Sequence, residues 1–191
     1  MSTNMQGKVP KKRNYNLVLR KTHSFLTVFL FINISIIAIT GILLGLKKQT
    51  KGVIMPVIVE GTTSELKQWI SIDSIYNVAI NEFLKHYPDC KDVEISRIDI
   101  RQSKAMANAV FDKKYFSVQV DGATGQVLYA GKRYSDMIEN IHDGSIVDIL
   151  IGSKTQYFKI AYTCLMGLSL LLFSITGFMI WLSKRKRKRR T

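Results

Sequence analysis

The sequence predicts an α+β protein in which two antiparallel transmembrane helices flank a compact domain built from a helix packed on an antiparallel sheet. Three observations carry that prediction. Two apolar runs, residues 24–46 and 160–182, each hold 23 residues with no Asp, Glu, Lys, Arg or His. Between them lies one stretch with helical periodicity, followed by several that alternate with period two. The net charge of +14 is confined to the ends. Residues 1–23 hold six Lys/Arg and no acid, and residues 184–190 hold seven and no acid, so the middle, with all 14 acids, is close to neutral. A broad basic face of the kind that binds nucleic acid is excluded by that placement.

Each apolar run would be roughly 34 Å long as a helix, enough to cross a hydrocarbon core of about 30 Å. The first run follows basic residues as a secretory signal does, but it is long for a signal's apolar region. The segment Leu46-Lys47-Lys48-Gln49 after it lacks a small-x-small cleavage site, so an uncleaved anchor is expected. Lys/Arg crowd both ends, whereas the inner flanks carry only Lys47, Lys48, Lys51, Lys154 and Lys159. The positive-inside bias therefore places both termini in the cytoplasm and the central domain outside. The expected divisions are a basic N-terminal segment (1–23), a first span (24–46), an outer domain (47–136), an interfacial linker (137–157), a second span (158–182) and a polybasic tail (183–191). Such a tail would hold anionic lipid at roughly 1 kcal/mol per residue. Gly41 and Gly45 form a GxxxG, Gly167 lies at a similar depth in an antiparallel pair, and Gly177 follows. These small residues are expected helix-packing positions, within the chain or in a homodimer. Asn33, in mid-membrane, requires a carbonyl or another helix as partner.

In the outer domain, residues 53–59 read as a strand. Ser71 or Asp73 then caps a helix whose Ile72, Ile75, Tyr76, Ala79, Ile80, Phe83 and Leu84 form one apolar face. The helix ends at His86-Tyr87-Pro88-Asp89, since the residue before proline avoids helical geometry. Val93, Ile95, Ile98 and Ile100 suggest a strand with an irregularity at Arg97; residues 105–111 and 115–120 suggest two more. Asp121-Gly122-Ala123-Thr124-Gly125 is a glycine-bearing turn, after which residues 126–129 return as a strand. In that turn Asp121 can accept from backbone amides and Gly125 and Gly122 can take positive φ, with Thr124 completing a structural hairpin device rather than a phosphate loop.

The run Val120-Asp121-Gly122-Ala123-Thr124-Gly125-Gln126-Val127-Leu128, after a helix and strands, resembles the end of the PepSY domain. Leu19-Arg20-Lys21-Thr22-His23, an apolar run closing on Ile39-Thr40-Gly41, then Ile141-His142-Asp143-Gly144 and a span closing on Thr176-Gly177-Phe178-Met179-Ile180-Trp181, are similar to the segments of the PepSY-associated transmembrane family. The resemblance covers about residues 17–183. It implies a bacterial cytoplasmic-membrane protein with a periplasmic or extracellular PepSY-like domain. It also implies a membrane-anchored binding or regulatory role, either in control of an extracytoplasmic peptidase or as an accessory to siderophore-iron uptake. The partner would be another membrane or extracytoplasmic protein. The alternative is a small b-type electron-transfer subunit of a ferric-siderophore reductase, with haem b held by His23 and His142. Those two residues lie at opposite ends of a span, so a single haem within one chain would not reach both.

Other chemistry is thin. His86 and Cys90 are split by Pro88, with no second ligand pair near in sequence. There is no nucleophile elbow, HExxH, Rossmann fingerprint or CxxC, and no catalytic residue is nominated. Residues 137–151, apolar but interrupted by Glu139, Asp143 and Asp148, are too charged to span. They suit either the membrane surface or the underside of the outer domain.

Overall fold

The computed structural model describes residues 15–153 and 155–188; residues 1–14, Lys154 and residues 189–191, which include most of the expected basic N-terminal segment and the end of the polybasic tail, lie outside the described residues. Two long helices, α1 (Tyr15–Gly45) and α5 (Tyr157–Lys188), run past their apolar runs toward the chain ends. Their seam is built from Leu26, Leu30, Ile34 and Ile37 of α1 against Tyr162, Met166 and Phe173 of α5. On α5 these residues and Ser169 recur at alternating steps of three and four, the spacing that keeps one stripe facing a near-parallel neighbour. His23 at the start of α1 meets Thr176 near the end of α5, so the pair is antiparallel. Only 11% and 17% of the two apolar windows are buried. A core helix of a water-soluble protein would be covered, so the rings and branched chains of Phe25, Val28, Phe31, Leu168 and Phe178 face lipid. These helices span a membrane. Asn33 resolves its amide locally by donating from Nδ2 to the Phe29 carbonyl at 3.4 Å.

The segment between the spans is an α+β unit. Helix α2 (Ile72–His86) is capped by Ser71, whose hydroxyl accepts from the Ser74 amide at 3.1 Å. Asp73 stands in its first turn and Lys85 in its last, matching the helix dipole. Four strands follow as an antiparallel meander in the order β1 (Arg97–Arg101), β2 (Met106–Phe111), β3 (Phe116–Asp121) and β4 (Val127–Lys132). On the face toward α2, the directly paired residues are Ala107 with Val120, Ala109 with Val118 and Phe111 with Phe116. They close on Ile75, Ala79 and Phe83 to make the core. The small alanines let α2 approach the sheet, and Phe83 fills the wide end by stacking on Phe111 (4.4 Å between centroids) and meeting Phe116 edge-on (5.6 Å). Between Gln119–Tyr129 and Val120–Val127 the β3–β4 register skips Leu128, a bulge that bends β4 as it leaves the turn.

Two expected strands differ. Ladder pairing of β1 starts at Arg97; Val93 and Ile95 pack on the core without a β partner. Residues 53–59 form no strand: 53–55 bend and 56–59 have no ladder partner. They cross the sheet face opposite α2, where Gln119 occupies their backbone: its Oε1 accepts from the Val59 amide (2.9 Å) and its Nε2 donates to the Val57 carbonyl (2.8 Å). A side-chain amide mimics a neighbouring strand's peptide there, so the apolar run lies on the sheet without joining its ladder. Because this strap covers Asn108, Ser117 and Gln119, both faces of β2 and β3 are buried.

Two short helices join sheet and membrane: α3 (Tyr134–His142) packs on α1, and α4 (Ser145–Leu150) packs on α5. At the start of α3 the Ser135 amide donates to the Ile54 carbonyl (2.8 Å), and Arg133 grips Asp136 through Nε and Nη2, both at 3.0 Å. Between them, Gly144 takes φ +81°, and a Cβ there would stand 2.8 Å from the Tyr162 ring, so the close turn against α5 requires glycine.

Candidate functional site

The hairpin after β3 is organised by Asp121. This carboxylate is almost fully buried and accepts from the amides of Ala123 (2.8 Å) and Thr124 (3.1 Å) within the turn. Its second oxygen accepts from the amide and hydroxyl of Thr62, at 2.8 and 2.5 Å, and so ties the strap to the turn. Thr124 Oγ1 accepts from the Gln126 amide at 3.2 Å, and Gly125 takes φ +72°. Gly122 serves a different end: a Cβ on it would stand 2.2 Å from the Trp69 ring, which lies flat on the turn while its Nε1 donates to the Thr63 carbonyl. Every acceptor direction of Asp121 is spent on the chain itself, which is the chemistry of a brace.

Two histidines hold the helices together. His23 of α1 lies with Nδ1 3.0 Å from Thr176 Oγ1 of α5, its ring stacked on Phe173 at 4.3 Å and against Gly177, where a Cβ would stand 3.1 Å from the ring. His142 of α3 lies with Nδ1 2.9 Å from Thr40 Oγ1 of α1 and with its ring beside Gly41, 3.6 Å from where a Cβ would be. The two sites are built alike: an imidazole on a Thr-Gly pair of another helix. Each threonine hydroxyl has one proton, and each is already committed to its own helix. Thr176 donates to the Leu172 carbonyl (2.8 Å) and Thr40 to the Ile36 carbonyl (2.7 Å). With the hydroxyl protons so directed, each threonine accepts from its histidine, an assignment that puts a proton on Nδ1 and leaves Nε2 as the ring's other nitrogen. Replacing Thr176 or Thr40 by valine, which keeps shape and removes the acceptor, is expected to lower stability in mild detergent by about 1–2 kcal/mol. Imidazole ¹⁵N shifts should show the Nδ1–H tautomer in the wild type and a mixture at the affected ring in each variant.

Seventeen residue steps of continuous helix separate His23 from Thr40, the partner of His142, which is roughly 26 Å of rise. The two rings cannot share one haem within a chain. Among the described residues no three His, Cys, Asp or Glu gather as a metal site. What each ring does offer is an Nε2 lone pair with Nδ1–H anchored, the arrangement that orients a ligating imidazole. Of the glycines expected to pack helices, Gly41 and Gly177 carry these rings, whereas nothing stands within 4 Å of a Cβ placed on Gly45 or Gly167.

A cleft of about 700 Å³ opens between the sheet domain and the membrane-proximal helices. Arg97, Lys113 and Lys159 line it together with Asp112, Glu139 and Asp148. Several of these charges are already engaged. Lys159 pairs with Asp143 at 2.7 Å, and Asp148 accepts from the amides of Phe158 (3.1 Å) and Lys159 (2.8 Å), capping α5 from a distance. Burial pushes the Asp143 carboxyl up, but hydrogen bonds from Lys159 and Ser145 outweigh it and hold the group below its ordinary value. Asp112 and Glu139 are exposed.

The chemistry of the cleft was not legible from local sequence, because its walls come from β1, the β2–β3 connection, α3, α4 and the start of α5. The Thr-Gly doublets did leave a signal, as the paired small and hydroxyl residues near one end of each apolar run. Compared with known proteins, residues 20–191 match the family model described as PepSY-associated TM region. No curated protein matches the chain.

Proposed function

We propose that this chain, which belongs to the PepSY-associated TM family, is a membrane-anchored binding and regulatory module whose partner enters the cleft beside Glu139 and Asp112. The observation that carries this reading is the cleft itself, a roomy, charged opening held at a set height above the spans by α3 and α4. The sheet offers no comparable surface, since α2 covers one face of its central strands and the strap the other. The partner is a membrane or extracytoplasmic protein, with control of a peptidase or assistance to siderophore-iron uptake as the roles the family suggests. The Lys/Arg bias supports termini in the cytoplasm and a sheet domain on the far side of a bacterial cytoplasmic membrane. A photo-crosslinking residue at Glu139 in native membranes should capture one defined partner, and charge reversal at Asp112 should abolish capture. Equal capture from a position on the exposed side of α2, such as Asn77, would overturn the assignment.

The tautomer of the two rings favours a second reading, in which Nε2 of His23 or His142 meets its counterpart in another copy around haem b. Bound there, haem would supply electron transfer, and this chain's part would be to hold the imidazoles through Thr176 and Thr40. A Soret band in the purified protein that disappears in His23→Ala or His142→Ala supports it. A colourless, folded protein removes it.

A further inference from the structure

The turn that ends α4 combines a firmly held backbone with apolar side chains left mostly exposed. Asp148, buried, receives the Phe158 and Lys159 amides, which fixes the last turn of α4 at the level where the apolar window of α5 begins. The chain after it closes on itself: the Ile151 amide donates to the Val147 carbonyl (3.0 Å), Gly152 to Ile149 (3.2 Å) and Ser153 to Asp148 (2.8 Å). Three consecutive amides of the turn are thereby bonded within the chain, which lowers the cost of taking them out of water. Outside this closed turn stand Leu150 and Ile151, with 78% and 69% of their surface exposed, and Ile149, which is 53% exposed and lines the cleft with its other side. Tyr157 beside them is 72% exposed, an aromatic with a polar tip of the type enriched at the membrane–water boundary. Lys159, in the first turn of α5, directs its ammonium to Asp143.

We propose that Ile149, Leu150 and Ile151 insert into the leaflet beneath the sheet domain, a third point of attachment to the bilayer besides the two spans. The occupant of this apolar tip is lipid because the Asp148 cap holds it within about one helical turn, roughly 5 Å, of the first turn of a membrane-spanning helix. Three consecutive apolar side chains at that height face acyl chains without reaching for them. Inserted, they hold α4, and with it one wall of the cleft, at a constant depth. The proposal depends on the spans alone and stands or falls independently of what the cleft binds.

The test uses the full chain with Cys90 and Cys164 replaced by serine, reconstituted in vesicles of phosphatidylethanolamine and phosphatidylglycerol. An environment-sensitive fluorophore is attached at Leu150→Cys, at Ile151→Cys and, as a water-exposed reference, at Lys67→Cys. The two labels on the tip are expected to emit to the blue of the reference, to be quenched by lipid spin-labelled near the headgroup, and to resist aqueous iodide severalfold better. Iodide quenching equal to that at Lys67 would overturn the proposal. So would a blue shift that vanishes as protein is diluted in lipid, because a second copy and not the leaflet would then cover the tip.

Discussion

Truncating Phe83 to alanine is expected to cost about 3–5 kcal/mol, the range for deleting a fully enclosed aromatic ring whose surroundings cannot collapse. Phe83 has no exposed surface and is held between Phe111, Phe116 and the Tyr87 ring at 5.0 Å. The neighbours cannot close the gap, because Ala107 and Ala109 already set α2 as near the sheet as the backbones allow. The loss should appear as a lower thermal midpoint in detergent and as solvent exposure of Trp69, whose indole lies against the same domain. Phe83→Leu, which retains most of the volume, should recover more than half of the difference. A Phe83→Ala protein as stable as the wild type would mean that the core is not where Phe83 stands.

Removing the Asp121 carboxylate should rank next. Asp121→Ala strands the amides of Thr62, Ala123 and Thr124 and unfastens the strap from the hairpin, at about 2–4 kcal/mol. The same site predicts the behaviour in acid. Burial alone would raise this carboxyl, but the bonds from Thr62, Thr124 and Ala123 together exceed that effect and hold it below its ordinary value. A carboxyl with a lower pKa folded than unfolded contributes its full stabilisation above the unfolded value, about 3.9, and loses it as the pH falls through the folded one. Asp143 is shifted in the same direction and adds to the effect. Melting curves taken from neutral pH down to about pH 3 should fall for the wild type, and less steeply for Asp121→Asn, which starts lower. Parallel curves for the two proteins would show that Asp121 is not a titrating contributor.

What could be read from the sequence was whatever a short window encodes. The periodic face from Ile72 to Leu84, the Ser71 cap, the hairpin around Asp121 and the two apolar runs are local patterns, and the folded chain displays each of them. Residues 53–59 show where that reading stops. Their apolar run is real, but the groups that meet their backbone belong to Gln119, sixty residues further on, and no nearby residue reveals that. The imidazole–threonine contacts have the same character. His23 and His142 stand out as rare residues in apolar surroundings, yet their partners lie 153 and 102 positions away, so sequence could nominate the rings and not what fixes them. The glycines divide likewise: spacing marked Gly41, Gly45, Gly167 and Gly177 as equals, and only contact geometry separates the two that carry a ring.

Helix α1 joins these distant contacts mechanically. It bears His23 near one end and Thr40 near the other, and neither proline nor glycine interrupts the stretch between them. Such a segment turns as a single shaft. A twist that unseats the sheet domain at Thr40 must swing His23 away from Thr176 on the opposite side of the bilayer, like one key working two locks.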